Sequence, residues 1–160
     1  MALKDIKARI AAQMKTVAGV TNVFTYRRNL TDEAAMEQLV SADGHFHFWQ
    51  VFREMSVLAD DSINQNLTDQ VDTLVIEGFY GVKDANDSEE AFDAIIDGIL
   101  QAINNDRRPA NAGGTKLGGF VQTAQPPALR GPFNFVMVGA NQVLCHHAEV
   151  LLKLTPRYLQ

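Results

Sequence analysis

The chain has 160 residues, of which 46% are hydrophobic and 21% charged, and its formal net charge at pH 7 is −5. This composition predicts one globular domain over residues 1–160 and argues against a mainly disordered chain. Nonspecific binding to nucleic acid needs a positive surface, so the acidic charge argues against it. The single cysteine excludes an internal disulfide, and no run of about 18 apolar residues is present that could span a membrane.

The N-terminal segment has the apolar periodicity of an amphipathic helix with a basic exposed side. Its apolar residues recur at spacings of three and four: Leu3, Ile6, Ile10, Met14 and Val17. Gly19 follows as a stop signal. Thr21 to Tyr26 is then predicted to be a short strand, and Thr31 to Val40 a short helix.

Two longer strands are predicted in the middle of the chain. His45 to Val57 is rich in aromatic residues and carries large apolar side chains on both faces, so we expect both faces to meet other protein. Gln70 to Val82 alternates in the same way. The polar segment Ala59 to Thr68 between them is predicted to be a loop.

The strongest helix prediction is Ser88 to about Asn104. A broad apolar stripe predicts that this helix covers one face of a sheet. The stripe consists of Phe92, Ile95, Ile96, Ile99, Leu100 and Ile103. Asp87 or Ser88 is expected to cap its N-terminus.

The C-terminal third combines a long loop with a hairpin. Residues 105–132 carry four of the five prolines, are locally basic and are predicted to form an ordering loop with a weak strand at Leu117 to Gln125. Phe133 to Val138 is predicted to pair as a hairpin with Asn141 to Thr155, the central strand of the sheet. The elements together predict an α+β fold, with an antiparallel or mixed sheet of about four to five strands and helices packed on one face.

Five residues form the densest group of candidate metal ligands: Cys145, His146, His147, His45 and His47. Cys145 and His147 share a strand face, and so do His45 and His47, so these four are the ones that could meet. They would converge on zinc only if the two strands that carry them were neighbours, and their spacing is not that of the better-attested zinc sites. We therefore favour histidines with satisfied hydrogen bonds in or beside the core. We expect no metal and no cofactor.

A thiol nucleophile formed by Cys145 and His147 is the other candidate chemistry. The two residues share a strand face, but no helix N-terminus is predicted nearby to activate the thiol. A glycine-rich phosphate loop is also disfavoured, because the segment Gly113 to Lys116 lacks the first glycine of a P-loop and no helix is predicted to follow it. We expect no catalytic residues, and we predict an interaction protein rather than an enzyme.

The order of these elements resembles the tail terminator, or tail-to-head joining, proteins in the neck of long-tailed bacteriophages and prophages. The resemblance rests on four stretches: IKARIAAQMKTVAGVTNVFTY at 6–26, HFWQV at 47–51, SEEAFDAIIDGI at 88–99 and LCHHAEVLLKL at 144–154. It covers most of the chain through element order and loose patterns.

The resemblance implies a curved sheet with helices on one side and assembly of the chain into a homohexameric ring. The implied partners are other copies of the chain, the tail tube protein and the head connector or stopper protein. DNA would pass through the lumen without specific binding. The implied location is the neck of the virion, after assembly in the cytoplasm of the bacterial host.

Two alternatives stay open at this point. One is a different phage neck or head-completion protein of similar size. The other, from a different class, is a small metal- or thiol-dependent enzyme that uses Cys145 and His147.

Overall fold

A computed structural model of the chain describes residues 2–28, 38–40, 45–60, 68–82, 87–139 and 142–157. Within these ranges it contains the helices α1 (Ala2–Met14) and α2 (Ser88–Asp106) and the strands β1 (Val23–Phe24), β2 (His47–Asp60), β3 (Thr68–Gly81), β4 (Val121–Ala124), β5 (Ala128–Val138) and β6 (Val143–Pro156). The predicted helix at Thr31 to Val40 and loop at Ala59 to Thr68 fall mainly outside the described residues. Neither α1 nor α2 is long and apolar enough to cross a bilayer.

The described strands form one mixed sheet in the order β1-β2-β3-β6-β4, with β5 also paired to β6. β1 runs parallel to β2, and all the other pairings are antiparallel. The predicted α+β class is confirmed, but the sheet has more strands than the predicted four to five because the short strands β1 and β4 also join it. β6 has β3 along one edge and both β4 and β5 along the other, so the predicted central strand is confirmed.

Both helices pack on one face of the sheet, which we call the helix-covered face. Alternation along the strands sends every second side chain towards the helices. The buried apolar strand residues in the core under the helices are Trp49, Val51, Leu74, Ile76, Val121, Ala148, Val150, Leu152 and Leu154. The helices bury Ile6, Ile10, Met14, Phe92, Ile95, Ile96, Ile99 and Ile103 against them. The apolar stripes predicted from the sequence are therefore the ones that form the main core.

An ion pair joins the two helices beside this core. Arg9 donates from Nε and Nη2 to the two carboxylate oxygens of Asp106, at 2.9 Å and 2.7 Å. The Asp106 side chain is 4% exposed, whereas that of Arg9 is 35% exposed. The hydrogen bond to Asp106 raises the pKa of Arg9 in spite of the partial burial of the guanidinium. This two-point contact fixes the C-terminal end of α2 against α1.

The opposite face of the sheet, which we call the outer face, carries a second and smaller apolar cluster. Its buried members are Leu39, Phe46, Phe48, Phe79, Val138 and Cys145. The rings of Phe48 and Phe79 stack across β2 and β3 with centroids 4.7 Å apart. β2 is therefore buried on both faces over its first half, as its aromatic sequence predicts.

Two local predictions differ from the structure. No side-chain hydrogen bond caps α2: Asp87 has a left-handed backbone (φ 49°), and the Ser88 hydroxyl is hydrogen-bonded to His146 instead. The predicted loop at 105–132 is shorter than expected, because α2 extends to Asp106 and β5 already begins at Ala128. The weak strand inside it is present as β4, which the edge of β6 stabilises.

Candidate functional site

The four candidate zinc ligands do not come together. β3 lies between β2 and β6, and Phe79 of β3 is paired with both Phe48 and His147. β2 and β6, the strands nearest to the candidate ligands, are thus about 10 Å apart, which is twice the spacing of neighbouring strands. They also present their ligands on opposite faces, since His47 lies beside Trp49 on the helix-covered face and His147 lies on the outer face. The sequence hypothesis of a site formed by Cys145, His147, His45 and His47 is therefore wrong in its geometry.

Three of the four histidines are buried and hydrogen-bonded, as the favoured interpretation predicts. His45 Nε2 lies 2.9 Å from the carbonyl oxygen of Gly81. His47 Nε2 accepts a hydrogen bond from the Trp49 indole at 2.7 Å. His146 Nε2 is 2.9 Å from the Ser88 hydroxyl, and its ring lies beside Phe92. The His45 contact joins the segment before β2 to β3, the His47 contact lies within β2, and the His146 contact joins β6 to α2.

Cys145 does not have the surroundings of a nucleophile. Burial among the aromatic side chains of the outer face raises the pKa of the Cys145 thiol to about 12. Its sulfur lies 3.6 Å from the carbonyl oxygen of Val143, whereas His147 is hydrogen-bonded to Glu77. The two residues of the thiol hypothesis therefore engage different partners. With its pKa raised in this way, the Cys145 thiol is protonated at neutral pH.

A row of polar side chains crosses the outer face at right angles to the strands, next to the apolar cluster. We call it the polar row, and it consists of Gln50, Glu77, His147, Glu149 and Arg130. The pairing of the strands places these residues opposite one another: Gln50 faces Glu77, Glu77 faces Glu149, and Glu149 faces Arg130. His147 lies two residues before Glu149 and hence on the same face.

Short contacts connect the members of the polar row. Gln50 Nε2 donates to Glu77 Oε2 at 2.6 Å, and His147 Nε2 donates to Glu77 Oε1 at 2.8 Å. Arg130 Nε donates to Glu149 Oε2 at 2.5 Å, and its Nη1 donates to the exposed Glu54 at 2.7 Å. The row thus joins β2, β3, β6 and β5 through side chains as well as through the backbone.

The electrostatics of the row favour its charged form. Burial of Glu77 acts to raise its pKa, but the hydrogen bonds from His147 and Gln50, with the charges of His147 and Arg27, outweigh it and hold the pKa of Glu77 below its usual value. Hydrogen bonds to Glu149 and Glu54 raise the pKa of Arg130. Since Glu77 and Glu149 are like charges directly opposite each other, the row needs positive charge beside it to be stable.

Sequence reasoning did not find the polar row. Its signal in the sequence is a charged residue at a position where an apolar one would continue the alternation, as at Glu77 and Glu149. That signal does not show which strands are neighbours or which residues face each other. The polar row exists because of this strand order and this register.

Apolar side chains are exposed at two separate edges of the sheet. The first group, which we call the β5 patch, comprises Leu129, Phe135, Met137 and Leu144, which are 41%, 62%, 59% and 44% exposed. Their partners in the register, such as Val150 and His146, lie on the helix-covered face, so the β5 patch faces the same way as the helices. In the described part of the chain β5 pairs with β6 alone, and its other edge is open.

The second group, which we call the β2 patch, comprises Met55, Val57 and Leu58, which are 51%, 47% and 69% exposed. Met55 and Val57 are paired with Thr73 and Val71 and lie on the outer face. Among the described residues, β1 covers the edge of β2 only at Trp49 and Gln50. β3 pairs with β6 only as far as Asp72, so the β2–β3 pair continues beyond the sheet as a two-stranded ribbon.

No known family model matches the chain, and no curated protein matches it in sequence.

Proposed function

We propose that this chain is a structural virion subunit, a tail terminator that caps the head-proximal end of a phage tail tube and joins it to the head connector. The described elements follow the order on which the resemblance rests. An amphipathic helix leads to a short strand and an aromatic strand, and a second helix precedes the closing strand. The α+β fold with helices on one face is the fold that this family would require.

The observation that carries the proposal is the pair of unlike apolar patches. The β5 patch lies on the helix-covered face at one edge of the sheet, whereas Met55 and Val57 of the β2 patch lie on the outer face near the opposite edge. The two patches cannot cover each other within one chain, but the β2–β3 ribbon of one copy can lie over the β5 patch of the next. A contact between two different surfaces is heterologous, and it generates a ring if the rotation between copies closes.

The remaining features suit a subunit of such a ring. The net charge of −5 suits a lumen through which DNA slides without adhering. The buried, protonated thiol and the hydrogen-bonded histidines are used in packing. In this proposal the partners are other copies of the chain, the tail tube protein and the head connector protein, in the neck of the virion after assembly in the host cytoplasm.

The proposal is tested by measuring assembly. The mass of the purified chain in solution is determined by light scattering, alone and after addition of the tail tube protein of the same phage. Negative-stain microscopy then shows whether rings form and whether they sit at one end of the tubes. We expect closed hexameric rings in at least one of the two conditions and tubes of limited length when the chain is present.

Two charge substitutions locate the interface. Met137→Glu in the β5 patch and Val57→Glu in the β2 patch should each abolish the ring, because either one places a carboxylate in a buried apolar contact. Tyr26→Glu is the matched control, since Tyr26 is 54% exposed and belongs to neither patch. A chain that stays monomeric with and without tube protein would contradict the proposal. Rings that survive both patch substitutions would contradict the assigned interface.

A further inference from the structure

We propose that Glu77, His147 and Glu149 form a binding site for a divalent transition-metal ion, with Zn²⁺ as the best-matched cation. The carboxylate oxygens and the imidazole nitrogen of these three residues all lie within 4.8 Å of one another. The inference concerns the centre of the outer face and holds whether or not the chain forms a ring.

The distances are close to those of a coordination site. His147 Nε2 is 2.8 Å from Glu77 Oε1 and 4.0 Å from Glu149 Oε1. Ligand atoms that are each about 2.1 Å from a tetrahedral zinc ion lie about 3.4 Å from one another. Rotation of the two carboxylates by less than 1 Å at the oxygens would therefore suffice, and the strand backbones would not have to move.

A metal would take the place of the proton that His147 Nε2 shares with Glu77 Oε1, and the outer contacts leave that oxygen and one oxygen of Glu149 available to it. Gln50 holds Oε2 of Glu77 at 2.6 Å, and Arg130 holds Oε2 of Glu149 at 2.5 Å. Both Oε1 atoms therefore point towards His147. Hydrogen bonds of this kind orient the ligands of known metal sites and contribute to their affinity. The three ligands lie on β3 and β6, which are adjacent strands in the middle of the sheet and hold side chains more rigidly than loops do.

The charge of the site also favours a cation. Glu77 and Glu149 face each other on neighbouring strands, and such a pair of like charges is destabilising unless positive charge lies between them. Arg27 compensates Glu77 in part, and Arg130 compensates Glu149 in part while also forming an ion pair with Glu54. A divalent ion bound between the two carboxylates would remove their repulsion and link β3 to β6 on the outer face.

The set of donor atoms determines the class of metal. One imidazole and two carboxylates suit zinc and the neighbouring first-row ions, whereas Mg²⁺ prefers oxygen ligands alone. Zinc is expected to bind more tightly than Mn²⁺, following the usual order of affinities. Three protein ligands leave a fourth position for water or for a group from a partner.

The test uses the untagged full-length chain, treated with a chelator and then titrated with ZnCl₂ in a calorimeter. We expect one zinc ion per chain and a rise of the unfolding temperature that a chelator reverses, because a ligand that binds the folded state stabilises it. His147→Gln and Glu149→Gln should each weaken binding at least about tenfold. Glu54→Gln is the matched control, since Glu54 shares Arg130 with the row but supplies no ligand, and it should bind like the wild type.

Circular dichroism establishes that each variant is folded, and Glu77→Gln replaces any variant that is not. Absence of saturable zinc uptake up to about 100 μM, a concentration that corresponds to weak binding, would overturn the inference. Equal affinity of the wild type and both ligand variants would also overturn it, because zinc would then be bound elsewhere on the chain.

Discussion

Replacement of Gly78 by alanine should strongly destabilise the protein, because the indole of Trp49 occupies the space that a methyl group would need. A Cβ atom built on Gly78 would lie 2.3 Å, 2.4 Å and 2.5 Å from three carbons of the Trp49 ring. Carbon atoms in van der Waals contact are about 3.5 Å apart or more, so the ring would have to move by roughly 1.2 Å.

Trp49 cannot make this movement easily. Its side chain is 0% exposed, its indole nitrogen donates to His47 at 2.7 Å, and its ring lies against Phe92 with centroids 5.8 Å apart. A forced shift would disturb the hydrogen bond as well as the packing under α2. We expect a loss of about 3 kcal/mol of unfolding free energy, at the upper end of the usual cost of overpacking. For a chain of this size the unfolding temperature would fall by about 9 °C.

Urea denaturation followed by circular dichroism measures the effect. Gly114→Ala is the matched control, because Gly114 has an ordinary backbone (φ −77°) and no atom closer than 3.8 Å to the added carbon. The control should stay within about 0.5 kcal/mol of the wild type, as surface substitutions usually do. When Trp49 is also replaced by leucine, Gly78→Ala should lower the unfolding free energy much less than it does in the wild type, since the two sites are in contact. A Gly78→Ala protein as stable as the wild type would refute the reasoning.

Two further predictions concern the helix ion pair and the cysteine. Asp106→Asn should lower the unfolding free energy by about 2 kcal/mol in the same urea assay, because it removes the charge from a two-point contact whose acidic partner is buried. The control is Asp97→Asn, which changes an exposed residue of the same helix. Equal stability of the two variants would refute the role of the ion pair. Cys145 should react with iodoacetamide at pH 8 at least about 100-fold more slowly in the folded chain than in urea, because burial raises its pKa to about 12. Rapid labelling of the folded protein, measured by mass spectrometry, would show that the thiol is accessible.

The sequence was sufficient to predict the elements whose apolar residues follow one period over many positions. The stripe from Phe92 to Ile103 predicted α2 because a helix repeats every 3.6 residues, and the alternation in β6 predicted the central strand. The boundaries were less accurate. β5 begins before the predicted Phe133 because Ala128, Leu129 and Arg130 pair with β6 ahead of a register shift, and the glycine and proline within that shift hide the continuity of the strand in the sequence.

The polar row could not be predicted because it depends on register. Glu77 and His147 are 70 positions apart in sequence, and they meet because β3 and β6 are neighbours aligned at Phe79 and His147. A slip of one residue would turn Glu149 towards the helices and abolish the row. The same dependence misled the zinc hypothesis, which required β2 and β6 to be adjacent.

The position of β6 late in the chain has a consequence for synthesis on the ribosome. β6 separates β3 from β4 and β5, and its apolar face completes the layer on which both helices rest. The earlier elements therefore emerge while the surface that β6 covers is still exposed, and stable folding must wait until residues 143–156 have been translated. Such late, long-range pairing folds slowly, and a nascent chain in this state is the form on which a chaperone would act.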